Sequence, residues 1–188
     1  MQLGAIFAGF GGQGLLFCGH VLAQAALLEG REVSWMPSYG PEMRGGTAFC
    51  TVIVADRLIG SPMLDRADAI VVLNPPSLAR FEAVVAPGGL LVMNSSLIEQ
   101  EPTRDDIEVL SIPCTQVARE AGDDRLVSIV ALGGLLARRP IVNHDSVYAA
   151  IRELLGSKKA GLIEADLAAF ERGHAAGLPV GHAMEVYR

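Results

Sequence analysis

The residues best suited to chemistry lie close to the start of the chain. Gly9-Phe10-Gly11-Gly12-Gln13-Gly14 has the spacing G-x-G-x-x-G, set between an apolar run, Leu3–Ala8, and a stretch with apolar residues at helical spacing, Leu15–Leu28. Glycines let a backbone approach a phosphate closely, and the start of the following helix supplies free N–H groups and a partial positive charge. This is chemistry for holding an anion, not for breaking a bond. The same residues also serve as a tight strand-to-helix turn with no ligand, and the glycine spacing alone does not separate the two.

A second segment, Tyr39-Gly40-Pro41-Glu42-Met43-Arg44-Gly45-Gly46-Thr47, pairs one acid and one base within a stiff loop. Arg44 offers a planar fork suited to carboxylate or phosphate, so the segment reads as an anion or interface site. Glu42 and Arg44 can equally form an ion pair that fixes the loop, and the two roles are compatible. A nicotinamide dinucleotide fits poorly. Its ribose needs an acidic residue closing the second strand, about 20 residues beyond the glycines. Here that region reads Val33-Ser34-Trp35-Met36-Pro37-Ser38, and the next acid is Glu42 inside the loop. A phosphate-bearing ligand or a partner chain is the better expectation.

Other reactive side chains offer less. Cys18, Cys50 and Cys114 are odd in number, far apart and in apolar surroundings, with no CxxC pair. That pattern suits buried, reduced thiols rather than a disulfide framework, zinc site or iron–sulfur cluster. His20 lies inside the first helix as a packed residue, while His144, His174 and His182 have no metal-ligand spacing. Ser95 and Ser96 lack the nucleophile elbow of a hydrolase. Trp35 reads as core or interface, and Asp65, Asp68, Asp105 and Asp106 as solvated turn charges. No catalytic residue and no metal ligand is expected on this chain.

The elements that must position these residues follow from the pattern. Leu3–Ala8 reads as a buried strand, Leu15–Leu28 as a helix stopped at Gly30, and Glu32–Met36 as a second strand, together a right-handed βαβ unit. Ala48–Ala55 reads as a strand turning at Asp56-Arg57 into Leu58–Ile59, an inserted hairpin. Ala69–Leu73 is a further buried strand. Asn74-Pro75-Pro76 opens a helix to about Val85, Pro87-Gly88-Gly89 is a turn, and Leu90–Met93 and Ile107–Ile112 are strands. Helices follow at Gln116–Glu120, Leu126–Arg138, Asp145–Leu155 with a cap at Asn143 or Asp145, and Lys159–Ala176, before an extended tail from Gly177. The fold class is α/β: a doubly wound, mostly parallel sheet with an inserted β-hairpin and a helical C-terminal part, in a single domain over residues 1–188. The glycine loop, Pro37–Thr47, Asn74 and Asn94-Ser95 all follow strands and should gather on the carboxyl edge of the sheet.

Composition narrows the function classes. With 51% hydrophobic and 5% aromatic residues the interior is aliphatic, which favours a sheet-centred core. The net charge of −6, with scattered Lys and Arg, leaves no basic stripe for a phosphate backbone, so no nucleic acid partner is expected. Leu3–Leu28 carries no charged residue, but its glycine loop would leave backbone groups unpaired in lipid, so it is not a membrane span. A cytoplasmic location is expected.

GFGGQG near the N-terminus, then PSYGPEMRGGTA, SPMLDRADAIVVLN and PGGLLVMNSS, in that order, resemble the gamma subunit of the 2-oxoacid:ferredoxin oxidoreductases. The resemblance covers about residues 3–175. The PSYGPEMRGGTA wording is most similar to the 2-oxoglutarate and 2-oxoisovalerate types. It implies a complex in which alpha and beta chains hold thiamine diphosphate, magnesium and an iron–sulfur cluster, sometimes with a small ferredoxin-like delta chain. Such a complex decarboxylates a 2-oxoacid (2-oxoglutarate as first choice, pyruvate in other members), passes the acyl group to coenzyme A and reduces ferredoxin. This chain would then be an accessory domain near the active site, without catalysis of its own, and suited to contacting coenzyme A. The resemblance maps the site onto Gly9, Gly11, Gly12, Gln13 and Gly14, and onto Tyr39, Gly40, Pro41, Glu42, Arg44, Gly45, Gly46 and Thr47. One departure is Ser128, where the family often has Asn before its Leu-Gly pair, here Leu132-Gly133. The alternatives are a free-standing nucleotide- or coenzyme A-binding module and a stand-alone dehydrogenase, the latter disfavoured by the missing ribose acid.

Overall fold

A computed structural model describes residues 1–38, 47–156 and 160–179. Six strands form one sheet: β1 (Gln2–Phe10), β2 (Glu32–Ser38), β3 (Thr47–Ala55), β4 (Ala67–Val72), β5 (Val85–Asn94) and β6 (Glu108–Ile112). Their spatial order is β2-β3-β1-β4-β5-β6. β3 pairs antiparallel with both β1 and β2, while β1, β4, β5 and β6 pair in parallel. The helices are α1 (Leu15–Leu28), α2 (Pro75–Phe81), α3 (Cys114–Glu120), α4 (Val127–Arg138), α5 (His144–Leu155) and α6 (Ala160–Gly177).

The unbroken apolar runs of β1 and β4 arise because both faces are covered. Alternate residues of β1 go to opposite sides: Ala5 and Phe7 join a cluster with α1, α4 and α5, whereas Ile6 and Ala8 join a smaller one with Leu78 and Phe81 of α2. α1 lies over β1, β2 and β3, and α4 lies beside it over β4 and β5, so both occupy one face. α6 crosses α4 where glycines remove any spacer. A Cβ on Gly133 would strike the Phe170 carbonyl, and one on Gly173 the Val130 carbonyl.

The doubly wound sheet appears as expected, with four local differences. The hairpin is β2–β3, not Ala48–Ala55 with Leu58–Ile59. β3 slots between β1 and β2, so the βαβ unit skips one strand. The chain leaves the sheet at Asp56, whose carboxylate binds both the N-terminal amine at 2.6 Å and Arg31 at 2.7 Å; Leu58 is 85% exposed. Pro87-Gly88-Gly89 is not a separate turn but an irregular start to β5, with Gly88 at φ 72° and a register shift opposite Ala67–Ala69. The helix after Asn74 ends at Phe81 and gives way to a 3₁₀ turn at Glu82–Val84. Asn143 does occupy the cap position of α5, yet its side chain makes no capping bond. The Glu42–Arg44 pair and the tail from Val180 lie outside the described residues.

Candidate functional site: the glycine loop at the carboxyl edge

β1 ends at Phe10, and the chain turns through Gly11–Gly14 into α1. The turn is tied by its own glutamine. Gln13 Oε1 accepts from the Phe10 N–H at 2.6 Å, and the Gln13 N–H donates back to the Phe10 carbonyl at 3.3 Å. The carboxamide therefore folds under the loop into the space a Cβ on Gly9 would take, which is why position 9 is glycine. Gln13, read from sequence as a binding residue, uses its Oε1 to shape the loop. Gly12 and Gly14 have φ of 95° and 76°, in the left-handed region that favours glycine. Gly14 is the cap residue of α1 and offers no side chain, so the first N–H groups of α1 keep no side-chain partner at that position.

Neighbouring strands bring other residues to this edge. Thr47, the first residue of β3, pairs with Phe10, so the end of the second segment meets the glycine loop directly. On the other side, Leu73 N–H donates to the Ala8 carbonyl at 2.9 Å and carries Asn74 alongside the loop. Asn74 Oδ1 caps α2 by accepting from Ser77 N–H at 2.8 Å. Its Nδ2 and the Ser77 hydroxyl are buried without partners among the described residues. Asn94 braces the same edge, donating to the Leu73 carbonyl at 3.3 Å and to Thr115 Oγ1 at 2.9 Å. Gly9, Gly11, Gly12, Gln13, Gly14 and Thr47 thus come together. Tyr39, Gly40, Pro41, Glu42, Arg44, Gly45 and Gly46 lie outside the described residues.

The start of α4 also reaches the loop. A Cβ on Gly14 would lie 2.8 Å from Ser128 Oγ and 3.0 Å from the Arg125 carbonyl. Cys18 Sγ donates to the Ser128 carbonyl at 3.2 Å, pinning the two helix starts together. α4 runs on from a 3₁₀ turn at Asp124–Leu126 whose cap residue, Asp123, accepts from the Arg125 N–H at 2.8 Å. The helix start that faces the glycine turn with its partial positive charge is therefore that of α1. The Arg125 side chain points elsewhere, into a 2.6 Å ion pair with Asp123. Ser128 entered the sequence reading only as a departure, and the approach of Arg125 is made by backbone, which leaves no mark in residue type.

A cavity of about 280 Å³ opens beside the loop, lined by Phe10, Gly11, Gly12, Leu16, Phe17 and Ala48. A larger one, about 540 Å³, lies on the opposite face among Ile6, Met36, Phe49, Thr51, Leu64 and Phe81. The Arg80 guanidinium sits 4.8 Å over the Phe49 ring at that side. The thiols are not nucleophiles at neutral pH: burial pushes Cys18 well up and Cys50 and Cys114 up to about 12. Trp35 stacks on His20 at 4.7 Å, a packing role for both. Asp68 is more than a turn charge: within β4 it accepts from Gly4 N–H at 2.7 Å. Asp166 on α6 is 6% exposed, and burial, with a smaller contribution from Asp123, pushes its carboxyl up to about 6. Among the described residues no three His, Cys, Asp or Glu side chains converge as a metal site, and no helix is long and apolar enough to cross a membrane.

Residues 4–176 match the family described as pyruvate ferredoxin/flavodoxin oxidoreductase. The chain belongs to that family. It is 32% identical over 170 residues to the 2-oxoglutarate synthase subunit KorC of Methanocaldococcus jannaschii, covering 89% of each protein. It is 43% identical over 130 residues to the ketoisovalerate oxidoreductase subunit VorA of Methanothermobacter thermautotrophicus, a match over 69% of this chain but 27% of that protein. The chain thus matches about a quarter of the length of VorA and nearly the whole of KorC. Its fold is similar to the crystal structure of the keto/oxoacid ferredoxin oxidoreductase gamma subunit of Geobacter sulfurreducens, with TM-score 0.84, 26% identity, and 94% and 97% of the two chains covered. The likeness to gamma subunits read from the sequence motifs holds in both sequence and fold.

Proposed function

We propose that this chain is the gamma component of a thiamine diphosphate-dependent 2-oxoacid:ferredoxin oxidoreductase acting on 2-oxoglutarate or 2-oxoisovalerate. Alpha and beta chains would hold thiamine diphosphate, magnesium and the iron–sulfur cluster, with ferredoxin, and in some assemblies a delta chain, taking the electrons in the cytoplasm. Within that complex this chain holds the anionic part of coenzyme A. The observation that carries the reading is the start of α1, without a side-chain cap, behind a turn of left-handed glycines in a member of this family. Backbone N–H groups at Gly11, Gly12 and Gly14 bind phosphate oxygens through the helix start and the left-handed glycines. The apolar walls at Phe10, Leu16 and Phe17 suit the uncharged stretch of such a ligand. Tyr39, Glu42, Arg44, Gly45, Gly46 and Thr47 complete the site, with Arg44 as the anion's side-chain partner. Electron transfer and decarboxylation belong to the partner chains.

Co-purification from the native locus is the first test, followed by turnover of the assembled enzyme with each 2-oxoacid, coenzyme A and ferredoxin. Partners in fixed ratio, and an Arg44→Ala complex whose KM for coenzyme A rises while that for the 2-oxoacid holds, support the reading. A complex that turns over equally well without this chain would sink it. A chain recovered alone that still binds coenzyme A would favour a free-standing binding module.

A further inference from the structure

The sheet is covered unequally on its two faces. Register puts Phe49, Thr51 and Ile53 of β3 on the side of Ile6 and Ala8, with Ser34, Met36 and Ser38 of β2 beside them. On that side the seven-residue α2 lies over β1 and β4, and no described helix packs on β2 or β3. An antiparallel pair that faces water carries polar residues, yet β3 turns Phe49 and Ile53 to this side and β2 turns Met36. Leu64, in the chain between β3 and β4, lies on Gly4, and beside it opens the cavity of about 540 Å³, walled also by Met36, Phe49, Met63 and Phe81. Voids within a packed core seldom exceed a water molecule, so a space of this size belongs to a surface. Met63 is 71% exposed and Met36 40%, and both stand on the same apolar patch instead of singly. At its edge the Arg80 guanidinium lies 4.8 Å over the Phe49 ring and 5.0 Å over that of Phe81, and no carboxylate among the described residues pairs with it.

We propose that this face docks the larger partner subunit, the counterpart of the part of VorA that this chain does not match. The partner sets an apolar side chain into the cavity and a carboxylate against Arg80. The inference rests on the reading that this chain works within such a complex. Two observations name the occupant. The match takes in 27% of VorA, so in that relative the same domain is one part of a chain with much more protein to pack against. Arg80 supplies the complementary charge, because the two rings take the flat face of its guanidinium and leave its N–H edge for an acid. The unbranched side chains of Met36 and Met63 let the walls shift to fit what enters. The cavity beside the glycine loop opens on the other face, so docking here leaves that loop open to a ligand.

Methionine oxidation by hydrogen peroxide, read by mass spectrometry, reports on this face directly. Met1 is 70% exposed and Met93 4%, and they bracket the two methionines of the patch. In the isolated chain Met36 and Met63 should oxidise with Met1 while Met93 lags. In the assembled complex both should become as slow as Met93. Met63→Asp and Arg80→Gln, each at an exposed position, should leave the unfolding temperature of the isolated chain unchanged and weaken assembly about 10- to 100-fold. Arg80→Gln should also make assembly less sensitive to salt. A complex in which Met36 and Met63 oxidise as fast as in the isolated chain overturns the docking surface and leaves the subunit reading standing. Assembly of both variants at wild-type strength overturns it as well. Protection already present in the dilute isolated chain would make a segment of this chain the occupant, and protection that grows with its concentration a second copy; either result sinks the proposal. If no larger subunit assembles with the chain, both readings fail.

Discussion

Glycine is used in two regions of this molecule for opposite reasons. At the turn after β1, Gly12 and Gly14 take positive φ, and the Cβ direction of Gly12 is open among the described residues. At the α4–α6 crossing, Gly133 and Gly173 are ordinary helical residues, and a Cβ on either would enter the backbone of the other helix. The first region needs glycine for conformation and access, the second for volume. A turn that must accept a ligand leaves space unfilled, whereas the crossing that supports it has none to spare. The two are joined through α4, which packs on α6 from Val130 to Gly134 and whose first turn rests on Gly14.

The largest effect is expected at the crossing. Gly173→Ala drives a methyl into the Val130 carbonyl, with Val130 Cα 2.8 Å away. Backbone cannot rotate aside as a side chain can, so the helices must separate, and overpacking of this kind costs about 3 kcal/mol. Urea unfolding would read this as a lower midpoint with unchanged slope. A loss below about 1 kcal/mol would mean that the crossing is looser than its geometry.

Gly14→Ala should come next, because it breaks both rules at once. The residue holds φ 76°, which costs a non-glycine residue about 1–2 kcal/mol, and its Cβ would also press on the Arg125 carbonyl at 3.0 Å. A destabilisation of about 2 kcal/mol is expected, together with loss of coenzyme A binding, since the α1 start and the α4 start would be forced apart. Retained affinity would separate the loop from the proposed site.

Asp166 sharpens the comparison from the α6 side, where a buried carboxyl is held with no cationic partner among the described residues. Its pKa in the folded chain is about 6, above the ordinary value near 3.8 that it regains on unfolding. Below about pH 3 the group is neutral in both states and costs nothing. As pH rises from about 4 to 6 the unfolded chain ionises first, so stability falls, and above pH 6 the full penalty is present. Asp166→Asn should therefore stabilise the protein by on the order of 2 kcal/mol at pH 8 and not at all at pH 3. Thermal unfolding at the two pH values checks this, and a gain independent of pH would assign the effect to packing.

How much of this could be read from the chain alone depends on how local the cause is. The β1–loop–α1 unit was legible because strand, glycine spacing and helix lie next to one another, and each signals its own conformation. The placement of β3 was not. Its alternation marks a strand, but Thr47–Ala55 could pair forward or back, and the choice was made by β1 and by Asp56 binding Arg31 and the N-terminus. The gathering of the glycine loop, Thr47, Asn74 and Asn94 on one edge followed from strand ends in a parallel sheet. The role of Gln13 did not, because the spacing marks where it lies and not which way its carboxamide folds. Ser128 stands more than a hundred residues from Gly14, and only the packing of α4 beside α1 brings them together.

The smallest effect should come from Gly12→Ala, where the two uses of glycine separate most cleanly. Among the described residues no atom lies within 4 Å of the added methyl, so none of them clashes and the cost is the left-handed backbone at φ 95°, about 1–2 kcal/mol. That open space is nevertheless where a ligand approaching the loop backbone must come, beside the 280 Å³ cavity. The methyl should hence weaken coenzyme A binding by more than its effect on stability would suggest, through an added contact rather than a lost one. Gly12→Asn, which tolerates positive φ better than alanine, should recover stability but not affinity. Calorimetry and thermal unfolding on the two variants decide the point. If affinity follows stability in both, position 12 is glycine for its conformation alone, and the space above the loop is not the path of the ligand.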